Sequence, residues 1–147
     1  MTTFGDKMSH FIKAEQSAHN SVIYTDDAGK HFRYIYGTWT WRNHNPGNLV
    51  PGDISRKNGQ IGKAGGFAVF PDKNAGHMAL LDCLKTTYGD KNIDELTEKY
   101  APPKENNTAA YIKFLRKKTG VTDDKKIKNF TPEEFQKLWQ AIEQIEG

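Results

Sequence analysis

The sequence predicts an α+β fold, mainly helical, with a small β-hairpin lobe and a larger helical lobe, in one domain over residues 1–147. Two β-rich runs, Val22 to Tyr24 and Phe32 to Tyr36, flank the turn-forming DDAGK, which is the pattern of a hairpin. Beyond residue 73, apolar residues recur at three and four positions, the period of a helix with one buried face. Capping residues stand where those stretches begin.

The elements follow in order. Phe4, Met8, Phe11 and Ile12 are spaced for one helical face, and Glu15 continues the stripe, so a first helix is expected to end with a carboxylate aimed inward. The hairpin of SVIYTDDAGKHFRYIY comes next. From Gly37 to about Asp72 the chain is rich in Gly, Pro and Asn; Pro46-Gly47 and Pro51-Gly52 mark turns and FAVF closes the segment, which reads as ordered loops. Asn74 is placed to cap a helix carrying Met78, Leu81, Leu84 and Tyr88, and Asn92 a short one through Leu96 and Tyr100, ended by Pro102-Pro103. Asn107 or Thr108 opens another, with Ala110, Tyr111, Phe114 and Leu115 on one side and Gly120 as its stop. Thr131-Pro132-Glu133-Glu134 is a capping box with proline at the first helical position, followed by Phe135, Leu138, Trp139, Ile142 and Ile145 as the buried face. No internal repeat, low-complexity tract or domain boundary stands out. At 147 residues about two-thirds of the unfolded surface can be buried, enough for a core.

Composition removes several classes. The single cysteine, Cys83, excludes an internal disulfide and reads as a small buried side chain on a helix. Five histidines lack ligand spacing, so no metal or other cofactor is expected. There is no Gly-x-Ser-x-Gly elbow, and Gly62 to Gly66 lacks a phosphate-binding lysine motif. The net charge of +3 is spread among mixed charges with no basic stripe, so nucleic acid is not expected; a modest positive balance suits an anionic polymer such as a bacterial wall. The opening MTTFGDKMSHF has neither a long apolar stretch nor a small-residue cleavage site, and nothing downstream approaches a membrane span. A chain made in the cytoplasm without a signal peptide would need another export route. Aromatic residues concentrate between Phe32 and Trp41, a cluster that predicts core plus a binding surface.

A glutamate at the end of an apolar helix face loses hydration when ionised and so holds its proton near neutrality, as a general acid must. Glycoside cleavage uses such an acid and usually a second carboxylate. Asp26 and Asp27, in the hairpin turn, are the nearest candidates for the second. The segment FIKAEQSAHNSVIYTDDAG resembles the start of phage-type lysozymes, with Glu15, Tyr24, Asp26 and Gly29 filling the family's places. The spacing from Glu15 to Asp26 is about two residues longer than in that family. A longer resemblance runs through GTWTWRNHNPGNL, GGFAVFPDKNAG, KYAPPKENNTAAYIKFLRKKTG and TPEEFQKLWQAIEQIEG, which look like the lysozyme-like muramidase domains of phage particles and of type VI secretion cargo. His44 stands where that family's run has asparagine.

The resemblance implies a lysozyme-like fold and a peptidoglycan substrate. It also implies delivery by a phage particle or contractile injection machine to the periplasm or wall of a target bacterium. Besides peptidoglycan, an immunity protein or a secretion-machine carrier would be a partner. The expected reaction is hydrolysis of the MurNAc-β-1,4-GlcNAc bond with Glu15 as acid and Asp26 positioning water or stabilising positive charge. A lytic transglycosylase needs the same acid but uses the sugar's own hydroxyl, leaving 1,6-anhydro-MurNAc ends. From a different class, a silent wall-binding structural module could keep the fold without the chemistry. Amides at Asn43, Asn45 and Asn48 suit N-acetyl sugars, although Asn and Gly also simply make turns. Trp39, Trp41, Tyr100 and Tyr111 offer faces for sugar stacking or for the core, and Asn106 and Asn107 line a cleft or cap a helix.

Overall fold

The computed structural model describes residues 10–103 and 107–147. The chain is α+β, and its described residues form two compact units, the first running to Ala79 and the second over Leu80–Glu146. The boundary falls inside a helix, Lys73–Asp82, so no linker composition marks it.

The first unit is built on strands β1 (Phe11–Gln16), β2 (Val22–Asp26) and β3 (His31–Tyr34), an antiparallel sheet in the order β1-β2-β3. The β2–β3 hairpin is the one that the DDAGK turn predicts. The first helix is not there: from Phe11 on, the segment expected to be helical is β1, and Phe4 and Met8 lie outside the described residues. Pairing explains the override. Gln16, Glu15, Ala14 and Lys13 sit opposite Val22, Ile23, Tyr24 and Thr25, and the Ala14 amide also donates to the Ile61 carbonyl, so backbone bonds outside the segment outweigh its helical spacing. Ser17 to Ser21 makes the return, with His19 and Asn20 in the left-handed region.

Short helices α1 (Trp39–Arg42) and α2 (Asp53–Lys57) follow, then a second hairpin of β4 (Gly62–Ala64) and β5 (Phe67–Val69). Val22, Tyr24, Ala64 and Val69 form the buried centre, with Phe11, Ala14, Tyr34, Trp39 and Ile61 packed around them.

Helix α3 (Lys73–Asp82) leads into a wide turn over Cys83–Thr87. Its cap is Asp72, whose Oδ1 accepts from the Ala75 amide at 2.8 Å; Asn74, the expected cap, lies inside the helix. Gly76 lets α3 approach the Arg42–Asn48 loop, because a Cβ there would lie 2.0 Å from the His44 carbonyl oxygen. The buried face is also shifted: Ala79, Leu80 and Leu84 are buried and Met78 is exposed.

The second unit continues with α4 (Ile93–Tyr100), α5 (Thr108–Thr119), a single tight turn at Ile127–Asn129, and α6 (Pro132–Glu146). Here the capping signals hold. Asn92 and Glu95 form a reciprocal capping box, Asn107 Oδ1 accepts from the Ala110 amide, and Gly120 ends α5 at φ 76°. Thr131 and Glu134 bond reciprocally at 3.1 and 2.9 Å. Helix α5 packs on α4 and α6 around Ile93, Leu96, Leu115, Leu138 and Ile142. Ile145, expected inside, is exposed, and Phe135 and Trp139 are half-buried.

Candidate functional site

Strand geometry decides where the two expected carboxylates stand. Side chains alternate along a strand, so Ala14 and Gln16 share one face of the sheet with Tyr24, Val22, Phe32 and Tyr34, while Glu15 shares the other with Ile23 and Arg33. Ala14 and Tyr34 pack on the buried centre; Glu15 is exposed on the outer face. The inward, buried carboxylate at a helix end is therefore replaced by a solvent-facing one on a strand. Asp26 is fully buried at the end of β2, and its Oδ1 accepts from the amides of Ala28 at 2.9 Å and Lys30 at 2.8 Å. That arrangement builds the hairpin turn. Asp27 is exposed beside it, its amide donating to the His10 carbonyl.

The Arg42–Asn48 loop is tied down from within. Asn43 is fully buried, with Nδ2 donating to the Ala64 carbonyl at 3.1 Å. Asn45 is fully buried as well: Nδ2 donates to the Leu49 and Ala68 carbonyls, both at 2.9 Å, and Oδ1 accepts from the Leu49 amide at 3.0 Å. These amides, expected to meet N-acetyl sugars, instead fasten the loop to the second hairpin, because buried polar groups must find hydrogen-bond partners within the fold. Asn48 is half-buried at φ 51°, a left-handed position that asparagine tolerates. His44 also adopts φ 51°. Its Nδ1–H donates to the Phe70 carbonyl at 3.1 Å, and its ring lies 4.9 Å from Tyr24, 5.1 Å from Tyr34 and 6.2 Å from Phe11. Burial lowers the His44 pKa below the usual imidazole value, against the opposing pull of the Phe70 carbonyl and Asp72.

What this framework holds outward is aromatic. Trp41 packs on Tyr34 at 4.8 Å and is 53% exposed; Phe32 and Ile35 are exposed beside them, and Tyr36 is 83% exposed. Tyr36 is held at φ 64° and Gly37 at φ 69°, and the carbonyls of both accept from Arg42 Nη1, at 2.8 and 2.7 Å. A tyrosine in that backbone region is strained, and strain of this kind gathers at functional surfaces. Trp41 was legible as a candidate from the sequence. Phe32, Tyr34 and Tyr36 were signalled by the aromatic concentration between Phe32 and Trp41, but not as individual site residues, and Arg42 was not singled out.

The remaining candidates belong to the second unit. Tyr111 is buried, its hydroxyl donating to Glu146 Oε2 at 2.9 Å, and Tyr100 lies 6.2 Å from Tyr88. Burial holds the hydroxyls of Tyr100 and Tyr111 well above the ordinary tyrosine range, so both stay protonated. Asn107 is exposed and caps α5 through its side-chain oxygen. Asn106 lies outside the described residues. Among the described residues no group of three or more His, Cys, Asp or Glu is placed to hold a metal ion, and no helix is long and apolar enough to cross a membrane. No protein-family model, curated protein or solved structure matches the chain.

Proposed function

We propose that this chain acts on the glycan strands of peptidoglycan, and that its aromatic surface at Tyr34, Tyr36 and Trp41 is where a strand docks. The observation that carries the reading is the exposed Tyr36, kept at φ 64° beside a half-exposed Trp41. Sugar rings present apolar C–H faces that stack on such rings, and tyrosine and tryptophan keep a polar edge for hydroxyl groups. The sequence resemblance to lysozyme-like muramidase domains names the polymer and the reaction: cleavage of the MurNAc-β-1,4-GlcNAc bond by general acid catalysis, after delivery by a phage particle or type VI machine to a target cell's periplasm or wall. A carrier and an immunity protein belong to that same reading.

A second reading, binding of wall glycan without cleavage, is favoured by the position of Glu15. It is exposed and faces away from Tyr34 across the sheet, while Asp26 is engaged in the hairpin turn. Digestion of purified sacculi, with mass analysis of released fragments, separates the outcomes. Reducing ends support hydrolysis, anhydro ends one water lighter support a lytic transglycosylase, and retention on sacculi without fragments supports the binding module. Absence of both fragments and retention removes peptidoglycan as the target. If cleavage occurs through Glu15, Glu15→Gln lowers its rate about 10²- to 10⁴-fold; an unchanged rate removes Glu15 from the mechanism.

A further inference from the structure

Stacking on aromatic rings holds the plane of a sugar but leaves its rotation and register free, and a few directed polar groups set those. The amides of Asn43 and Asn45 are spent inside the loop, on the second hairpin. His44, between them in the chain, is placed differently. It is half-buried, and its ring packs among Phe11, Tyr24 and Tyr34, the last of which also touches Trp41 at 4.8 Å. The ring therefore borders the aromatic surface. Its Nδ1–H donates to the Phe70 carbonyl, which leaves the lone pair of the neutral imidazole on Nε2. Among the described residues Nε2 makes no hydrogen bond, and it is not one of their sealed polar atoms that lack a partner, so it is open to a ligand. Burial holds the ring below the ordinary imidazole pKa, so it is an acceptor and not a cation near neutral pH. The titratable groups that face it are Asp72 at the head of α3 and the hydroxyls of Tyr24 on β2 and Tyr34 on β3, which burial keeps protonated. Its backbone is clamped as well: it sits at φ 51°, and α3 comes so close at Gly76 that a Cβ there would lie 2.0 Å from the His44 carbonyl oxygen. A neutral acceptor on a rigid base can fix the orientation of what it binds.

We propose that His44 Nε2 accepts a hydrogen bond from the docked glycan strand, making His44 the contact that sets the strand's orientation on the rings of Tyr34, Tyr36 and Trp41. The proposal rests on the wall-glycan reading above. An amino-sugar strand offers polar hydrogens from two sources, its hydroxyl groups and its acetamido N–H groups, and either supplies the donor that a lone-pair nitrogen requires.

Nitrogen NMR of the imidazole rings in the native, ¹⁵N-labelled chain tests it at about pH 7.5, above the ordinary imidazole pKa of 6.5. No substitution is needed. His44 is assigned through its proton contacts with the Tyr24 and Tyr34 rings, and His31, on the opposite face of the sheet with Arg33 and Glu15, is the internal control. A lone-pair nitrogen that accepts a hydrogen bond moves upfield, toward the position of a protonated one. The ligands are chitotetraose, a peptide-free GlcNAc-MurNAc tetramer, and cellotetraose, which has hydroxyls but no acetamido group. Saturation with either amino-sugar tetramer is expected to move His44 Nε2 upfield, with Nδ1 still held on Phe70 and both His31 nitrogens unmoved. The same move with cellotetraose assigns the donor to a hydroxyl; a move confined to the amino-sugar ligands assigns it to an acetamido N–H, and both outcomes support the proposal. Binding that leaves His44 Nε2 unmoved overturns the contact and leaves the glycan reading standing. Any movement of the His31 nitrogens overturns it as well, because the effect is then not confined to the face that carries the aromatic surface. Failure of both amino-sugar tetramers to bind removes the wall-glycan reading together with the contact.

Discussion

Replacing Asn45 by alanine distinguishes a framework residue from a ligand contact. The side chain is fully buried and makes three hydrogen bonds, to the Leu49 carbonyl, the Ala68 carbonyl and the Leu49 amide. At about 0.5–1.5 kcal/mol each, their loss amounts to about 3 kcal/mol, weighted toward the upper end because the backbone groups left behind are buried. A chain of this size changes its melting temperature by about 2–4 °C per kcal/mol, so a fall of about 6–12 °C is expected. Asn45→Asp should be worse than alanine, because it replaces the Nδ2 donor with an oxygen facing two carbonyl oxygens. Urea titration followed by tryptophan fluorescence, with a parallel thermal melt, measures both variants. A shift below about 0.5 kcal/mol, within the range of ordinary surface changes, would refute the argument, and sacculus binding lost at unchanged stability would return Asn45 to the glycan site.

Other outcomes follow from the same framework. Gly65→Ala places a Cβ 2.6 Å from Trp39 Cε2 at a residue of φ +63°, whereas Gly66→Ala at φ +85° meets nothing within 4 Å. Gly66→Ala should therefore lose about 1 kcal/mol from backbone strain alone, and Gly65→Ala about 1–3 kcal/mol more from overpacking; equal losses in urea titration would contradict the contact with Trp39. The lowered pKa of His44 makes the folded state bind fewer protons than the unfolded state. Its contribution to stability is complete above the ordinary imidazole pKa of 6.5 and is lost as pH falls below it toward the folded value. His44→Asn, compatible with the left-handed backbone at φ 51°, should flatten the dependence of unfolding free energy on pH below the ordinary imidazole pKa of 6.5. An unchanged slope would assign that dependence elsewhere.

The helical half was legible because its signals are local. Asn92 with Glu95, Asn107 with Ala110, Gly120, and Thr131 with Glu134 each act within one turn, so the sequence around them is sufficient. The hairpin was legible for the same reason, since Asp26 and the DDAGK turn close on themselves. What escaped depends on partners far along the chain. Whether Phe11 to Gln16 is helix or strand turns on Val22 to Asp26 and on the Ile61 carbonyl, and that choice carries Glu15 from an inward to an outward position. Asn43 and Asn45 look identical to sugar-binding amides in sequence; only their distant acceptors, Ala64 and Ala68, give them a framework role. The aromatic concentration announced a surface, but which rings remain exposed follows from the packing of Tyr24, Tyr34 and His44.

Tyr36 gives the most direct test of the surface. Its side chain is 83% exposed and its backbone sits at φ 64°, where glycine is at ease and a tyrosine is strained by about 1–2 kcal/mol. Tyr36→Gly should hold or raise stability by up to about 1 kcal/mol, after glycine's greater unfolded-state entropy is deducted. If the residue is kept for docking glycan, the same change should lower the fraction of protein that cosediments with purified sacculi, with melting temperature no lower than that of the native chain. Cosedimentation equal to that of the native chain, in a variant that is as stable or more so, would contradict the aromatic surface as the place where peptidoglycan binds.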